Sequence, residues 1–239
     1  MADEPILATL TGEYFQPVRL HYRVFDHEGL VRVFKKLCCL EYDRTQQRWV
    51  WLYDHEAKSL RFQQSYAQIP KQLHPLVIGS FFLRSKDKLL LDLRSCKRAT
   101  LAVPFFDKHL PRSVTKLTEA EVVNKLFSAT ENAKLTPHAL FDLKASTCRD
   151  PDAAMQSVIE RIAHVQDPEK KLQIALEDME CVAKQPLPDI ERFPVCNYEE
   201  GIQAFETALQ IRQIIALQHW LGNTGYTFFD VFQSMQNSM

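Results

Sequence analysis

Two apolar rhythms divide this chain, and they restrict its fold more than any other feature. From Pro17 to Phe25 the residues alternate, with Val18, Leu20, Tyr22 and Val24 on one side and Arg19, His21 and Arg23 on the other. That is the period of a half-buried strand. In the last hundred residues apolar side chains recur every three or four positions, as in helices packed on one face. The balance of charge reverses with the rhythm. Through Leu117 there are 19 Lys and Arg against 12 Asp and Glu, a charge of +7; from Thr118 onward there are 10 against 18, a charge of −8. The polar, basic stretch Pro111 to Lys116 lies at the change. We therefore expect an α+β chain in two parts: a basic unit over 1–112 built on a mainly antiparallel sheet, and an acidic, all-α helical bundle over 117–239. The two parts are free to pack as one unit.

Local signals place the elements. Asp26 is positioned to cap a helix reaching Leu37, with Leu30, Val33, Phe34 and Leu37 as its apolar stripe. Cys38 to Asp43 and Arg48 to Tyr53 read as a hairpin around a four-residue polar loop. Arg61 to Tyr66 reads as a further strand. Leu76 to Leu83 and Lys88 to Arg94 form a second hairpin, followed by a helix from Cys96 to Leu110 that Pro104 kinks or divides. Beyond the boundary, Thr118-x-x-Glu121 has the spacing of a capping box. Thr136-Pro137, Asp150-Pro151 and Asp167-Pro168 each set a capping residue before a proline at the first helical position. The last two open an antiparallel helix pair. Asn197-x-x-Glu200 opens the longest helix, which ends at Leu221 with Gly222 behind it, and a final helix runs from about Thr227 to Met235.

Composition narrows the possible functions. Only six of the 239 residues are glycine, and none has the spacing of a dinucleotide fingerprint or a phosphate loop. The longest apolar runs fall far short of the ~20 residues that cross a bilayer, so no membrane span is expected. The opening Met-Ala-Asp-Glu-Pro has no basic, then apolar, leader pattern. The six cysteines show no C-x-x-C spacing, which fits reduced thiols in the cytoplasm. No cofactor and no metal are expected.

Three sets of residues are candidate sites. Trp49, Trp51 and Tyr53 share one face of a strand flanked by Arg44 and Arg48. Such a row either packs against helices or stacks unpaired bases while arginines neutralise phosphate. Lys86, Lys88, Arg94, Lys97 and Arg98 form a basic group that could meet phosphate or an acidic partner. Asp43, Glu56 and Lys58, with Glu56-Ala57-Lys58 as an E-x-K element, loosely resemble the restriction-endonuclease-like metal nucleases. That resemblance covers about a quarter of the chain. It implies Asp43 and Glu56 holding Mg²⁺ and Lys58 positioning a water. The leading expectation is a non-enzymatic accessory protein that binds another protein through its basic front or its helical back. The alternative is a nucleic-acid-binding protein, with metal-dependent cleavage as its sharper form.

Overall fold

A computed structural model describes residues 4–130, 136–143, 145–148, 151–196, 198–199 and 201–236. The strand foreseen at Pro17 forms as β1 (Val18–Val24), and Asp26 Oδ1 accepts from the Gly29 amide at 2.8 Å to start α1 (His27–Lys36). The first hairpin is β2 (Leu40–Asp43) and β3 (Arg48–Leu52); the second is β4 (Val77–Ser85) and β5 (Lys88–Leu93). Ser95 caps α2 (Cys96–His109), which continues through Pro104 as a single helix. Then come β6 (Thr115–Val123), α3 (Pro137–Leu143), β7 (Thr147–Cys148), α4 (Pro151–Ile162), α5 (Pro168–Ala183), β8 (Ile190–Pro194), α6 (Ile202–Trp220) and α7 (Phe228–Gln236).

One eight-stranded sheet carries the fold, in the order β2-β3-β4-β5-β1-β6-β8-β7. Every pairing is antiparallel except β7 with β8. Its inner face presents Leu20, Leu91, Phe81, Trp51, Ala120 and Phe193 to α1, α2 and α6, which contribute Phe34, Val103, Phe106, Phe205 and Leu209 to the same core. A buried ion pair helps to lock α6 in place. Arg212 donates from Nε and Nη2 to the two carboxylate oxygens of Glu191 on β8, both at 2.9 Å. Gly222 closes α6 at φ +98°, the left-handed geometry glycine adopts without strain.

The overall α+β class stands, but the second half is not wholly helical. Thr118 and Glu121 do not form a capping box; both lie in β6, in the middle of the sheet beside β1. A bulge explains why the alternation is hard to see. Tyr22 pairs with Leu117 and His21 with Glu119, which leaves Thr118 as an extra residue that breaks the period of two. The sheet thus takes strands from both sides of the charge boundary. Nor is Arg61 to Tyr66 a strand: a short 3-10 turn at His55–Ser59 precedes it, and its one buried residue, Phe62, meets Tyr53 edge-on at 4.9 Å. The caps foreseen at Thr136 and Asp167 form, their side chains accepting from the amides of Ala139 and Glu169. Those foreseen at Asp150, Asn197 and Glu200 lie outside the described residues. No helix among the described residues is long and apolar enough to cross a membrane.

Candidate functional site

The first hairpin carries most of the foreseen residues and does not bring them together as a metal centre. Asp43 ends β2, where its Oδ1 accepts from the amides of Thr45 and Gln46 at 3.0 and 3.1 Å and its Oδ2 faces Arg48 Nε at 3.3 Å. The Gln46 amide and then Arg48 hold its carboxyl below the usual range. Glu56 works at the other end of the strand, accepting from the amides of Cys38 and Cys39 at 3.0 and 2.9 Å. Lys58 pairs with Asp54 at 2.7 Å and lies over the Tyr66 ring. Glu56 is held before the first residue of β2, Leu40, and Asp43 is its last, three residues and roughly 10 Å further along the strand. Two carboxylates sharing one Mg²⁺ must both approach to about 2 Å. Both are instead engaged in closing turns. Among the described residues no group of three His, Cys, Asp or Glu could hold a metal.

The aromatic row faces the helices. Trp51 is fully buried with its ring against Phe105 and Phe106, and Tyr53 is buried beside Phe62 and Tyr66. Trp49 is half-buried between Phe34 and Tyr42. Arg44 is exposed in the hairpin turn, while Arg48 reaches across to donate to Ser80 Oγ at 3.0 Å. The basic group divides in two. Lys97 is exposed, but Arg98 is 1% exposed and so contributes nothing to a basic surface. Its Nη2 donates to Thr11 at 2.8 Å, its Nη1 reaches the carbonyls of Val77 and Ile78, and burial pulls its pKa down to about 10 despite Glu13 nearby.

The outer face of the sheet holds a polar row that sequence reading did not assemble. Strand register lines up Arg192, Glu121, Arg19, Asp92 and Ser80 on five neighbouring strands, with charges that alternate. Arg19 grips Asp92 through Nε at 2.6 Å and Nη2 at 2.9 Å, and both are buried. α3 lies over this pair. Asp142 accepts from Arg19 Nη1 at 3.0 Å and from Arg84 at 2.6 Å. His138 stacks on Phe82 with Nδ1 3.2 Å from Asp92. Burial works against ionised Asp142, but the hydrogen bonds of Arg84 and Arg19 outweigh it and hold its carboxyl below the usual range. The signal available in sequence was thin: the polar side of β1 was legible, and Asp92 is the one carboxylate in a run of leucines.

The second distinctive region is the α4–α5 hairpin. α5 buries none of its residues. Leu172, Leu176 and Met179 stand at 62%, 55% and 67% exposure, and Met155 and Ile159 on α4 at 62% and 48%. The inward edge of the pair is modest: Val158, Ile162 and Ile174 are half-buried and Arg161 pairs with Asp178. Spacings of four and three bring Leu172, Leu176 and Met179 to one side of α5, with exposed Glu169 and Glu180 flanking that side. α7 adjoins, with Lys184 at the end of α5 over the Phe229 ring at 4.6 Å, and exposes Phe232 and Met235.

Comparisons of the chain with models of protein families, with curated proteins and with solved structures each returned no match.

Proposed function

We propose that this chain is a non-enzymatic accessory protein that binds a basic amphipathic helix of another protein along the apolar stripe of α4–α5. The observation that carries the reading is the exposure of Leu172, Leu176 and Met179 on a helix that buries nothing. Helices of this length draw most of their stability from packing an apolar face, and here much of that face meets water. Apolar positions at helical spacing match the anchors by which one helix lies against another. Two methionines, Met155 and Met179, add side chains that adapt to a partner's contour. Glu169 and Glu180 beside the stripe, in the acidic part of the chain, favour a partner whose flanking residues are lysine or arginine. A reducing compartment such as the cytoplasm suits the six free cysteines.

The test uses two synthetic amphipathic helices of equal apolar content, one carrying Lys on its polar face and one carrying Glu. Fluorescence anisotropy should show saturable binding of the lysine helix alone. A double variant, Leu176→Asp with Met179→Asp, should cost about 2 kcal/mol or more of that binding, roughly 30-fold. Both positions are exposed, so folding stability should stay within about 0.5 kcal/mol per site. Equal binding of both helices, or unchanged binding by the double variant, would contradict the reading. So would sedimentation showing that a second copy of this chain covers the stripe.

A further inference from the structure

A pocket of about 150 Å³ opens on the outer face of the sheet, between β4, the end of β5 and the start of α3. Its polar lining comes from Arg48, Ser80, Asp92, Arg94, Thr136 and His138, and Phe82 forms an apolar wall. Partner by partner, the charges in and beside it do not cancel. Asp92 is answered by Arg19, and Arg48 by Asp43. Arg94 makes no ion pair or side-chain hydrogen bond among the described residues, and the charged group that shifts it is another cation, Arg48. Arg94 as a whole is exposed, but partial burial of its guanidinium in the pocket wall and the neighbouring Arg48 both draw its pKa down. A second donor is also unspent. Ser80 Oγ accepts from Arg48 at 3.0 Å, and its own hydroxyl proton meets no acceptor among the described residues.

We infer that this pocket binds a phosphate-type oxyanion, held between the guanidinium groups of Arg48 and Arg94 with the Ser80 hydroxyl as a third donor. Size restricts the ligand. The space is about half the lower end of the roughly 300–1,000 Å³ of pockets that enclose organic ligands. It takes a phosphate group with little attached: free phosphate, or the terminal phosphate of a small monoester whose remainder stays in solvent. Planar fork donors from two arginines suit an oxyanion with several acceptor oxygens. A bound dianion would supply the counter-charge that Arg94 lacks. The site lies on the sheet, away from α4–α5, and stands independently of the protein-binding reading.

The experiment is a titration of isotope-labelled full-length protein, followed by NMR at fixed ionic strength. Inorganic phosphate, glycerol phosphate and acetate are the three probes, with chloride making up the salt. Saturable shifts at Ser80 and at the Arg48 and Arg94 side chains are expected with phosphate. If glycerol phosphate matches or exceeds it, the ligand is a monoester; if only phosphate binds, it is the free ion. Arg94→Gln should lower affinity at least tenfold, Arg94→Lys less, and Ser80→Ala severalfold. Lys86→Ala, on the exposed β4–β5 turn, should change nothing. The inference is overturned if phosphate shifts rise linearly without saturating, if acetate binds as well as phosphate, or if Arg94→Gln binds as wild type does. Equal loss in Lys86→Ala would likewise overturn it, since it would mark general attraction to a basic surface.

Discussion

Lys97 and Arg98 are adjacent in sequence and opposite in role. Lys97 points into solvent, whereas Arg98 lies in the interior, where Thr11 and two β4 carbonyls take its donors. Replacing Arg98 with Ala would strand those acceptors and leave Glu13 buried without its cation. Breaking such a buried pair from one side costs about 3–5 kcal/mol, while Lys97→Ala should stay within about 0.5 kcal/mol. Urea denaturation of the two variants checks this, and similar midpoints would contradict it. Composition could flag both as basic; only packing separates them. Glu121 gives a pH signature at the same scale. Burial pushes its carboxyl up, but the His21 imidazole 3.3 Å away, then the Ser146 hydroxyl and Arg19, outweigh it and hold the pKa below the ordinary value. The unfolded chain, with a pKa of about 4.3, therefore takes up that proton more readily. The resulting stabilisation is complete above about pH 4.3 and is lost as pH falls through the lower, folded value. Glu121→Gln removes it. Urea midpoints of the wild type should fall more steeply on acidification than those of the variant, and parallel curves would count against the assignment.

At the scale of elements, what could be read in advance depended on local chemistry. The Asp26 cap, both hairpins and the proline-led starts of α3 and α5 rest on residues a few positions apart, so their sequence signals survive in the fold. β6 was hidden because Thr118 is extra in its pairing with β1, and Thr118 with Glu121 happens to copy the spacing of a helix cap. The pairing that decides the matter is with a strand almost a hundred residues earlier. This bulge supports a prediction. Deleting Thr118 removes the one unopposed residue, so Leu117 stays opposite Tyr22 and Ala120 opposite Leu20, both still facing the core, at the cost of the Thr118 hydroxyl's bond to the His21 carbonyl. The deletion variant should keep a cooperative thermal transition by circular dichroism; loss of that transition would show that the bulge itself is required. The candidate sites divide in the same way. Asp43 and Glu56 were visible as residue types, yet their hydrogen bonds to backbone amides were not. The Arg19–Asp92 pair depends on strand order, which no local pattern reports.

The whole molecule joins a well-packed sheet layer to a helical hairpin that is hardly packed at all. Residues from Val18 to Leu209 share one continuous core, while α5 buries nothing. The helical period of α4 and α5 was readable in sequence; that their apolar stripes face outward was not, because periodicity shows that a face exists and not what covers it. Local stability should follow packing, with core strands opening only on global unfolding and the hairpin opening far more easily. Hydrogen exchange of the free protein and of its complex with the lysine-faced helix joins both halves of the account. Fast exchange through 155–183 in the free chain, becoming slow there on binding while the sheet is unchanged, is the predicted result. An already protected hairpin, or protection gained at β2–β3 instead of α4–α5, would contradict it.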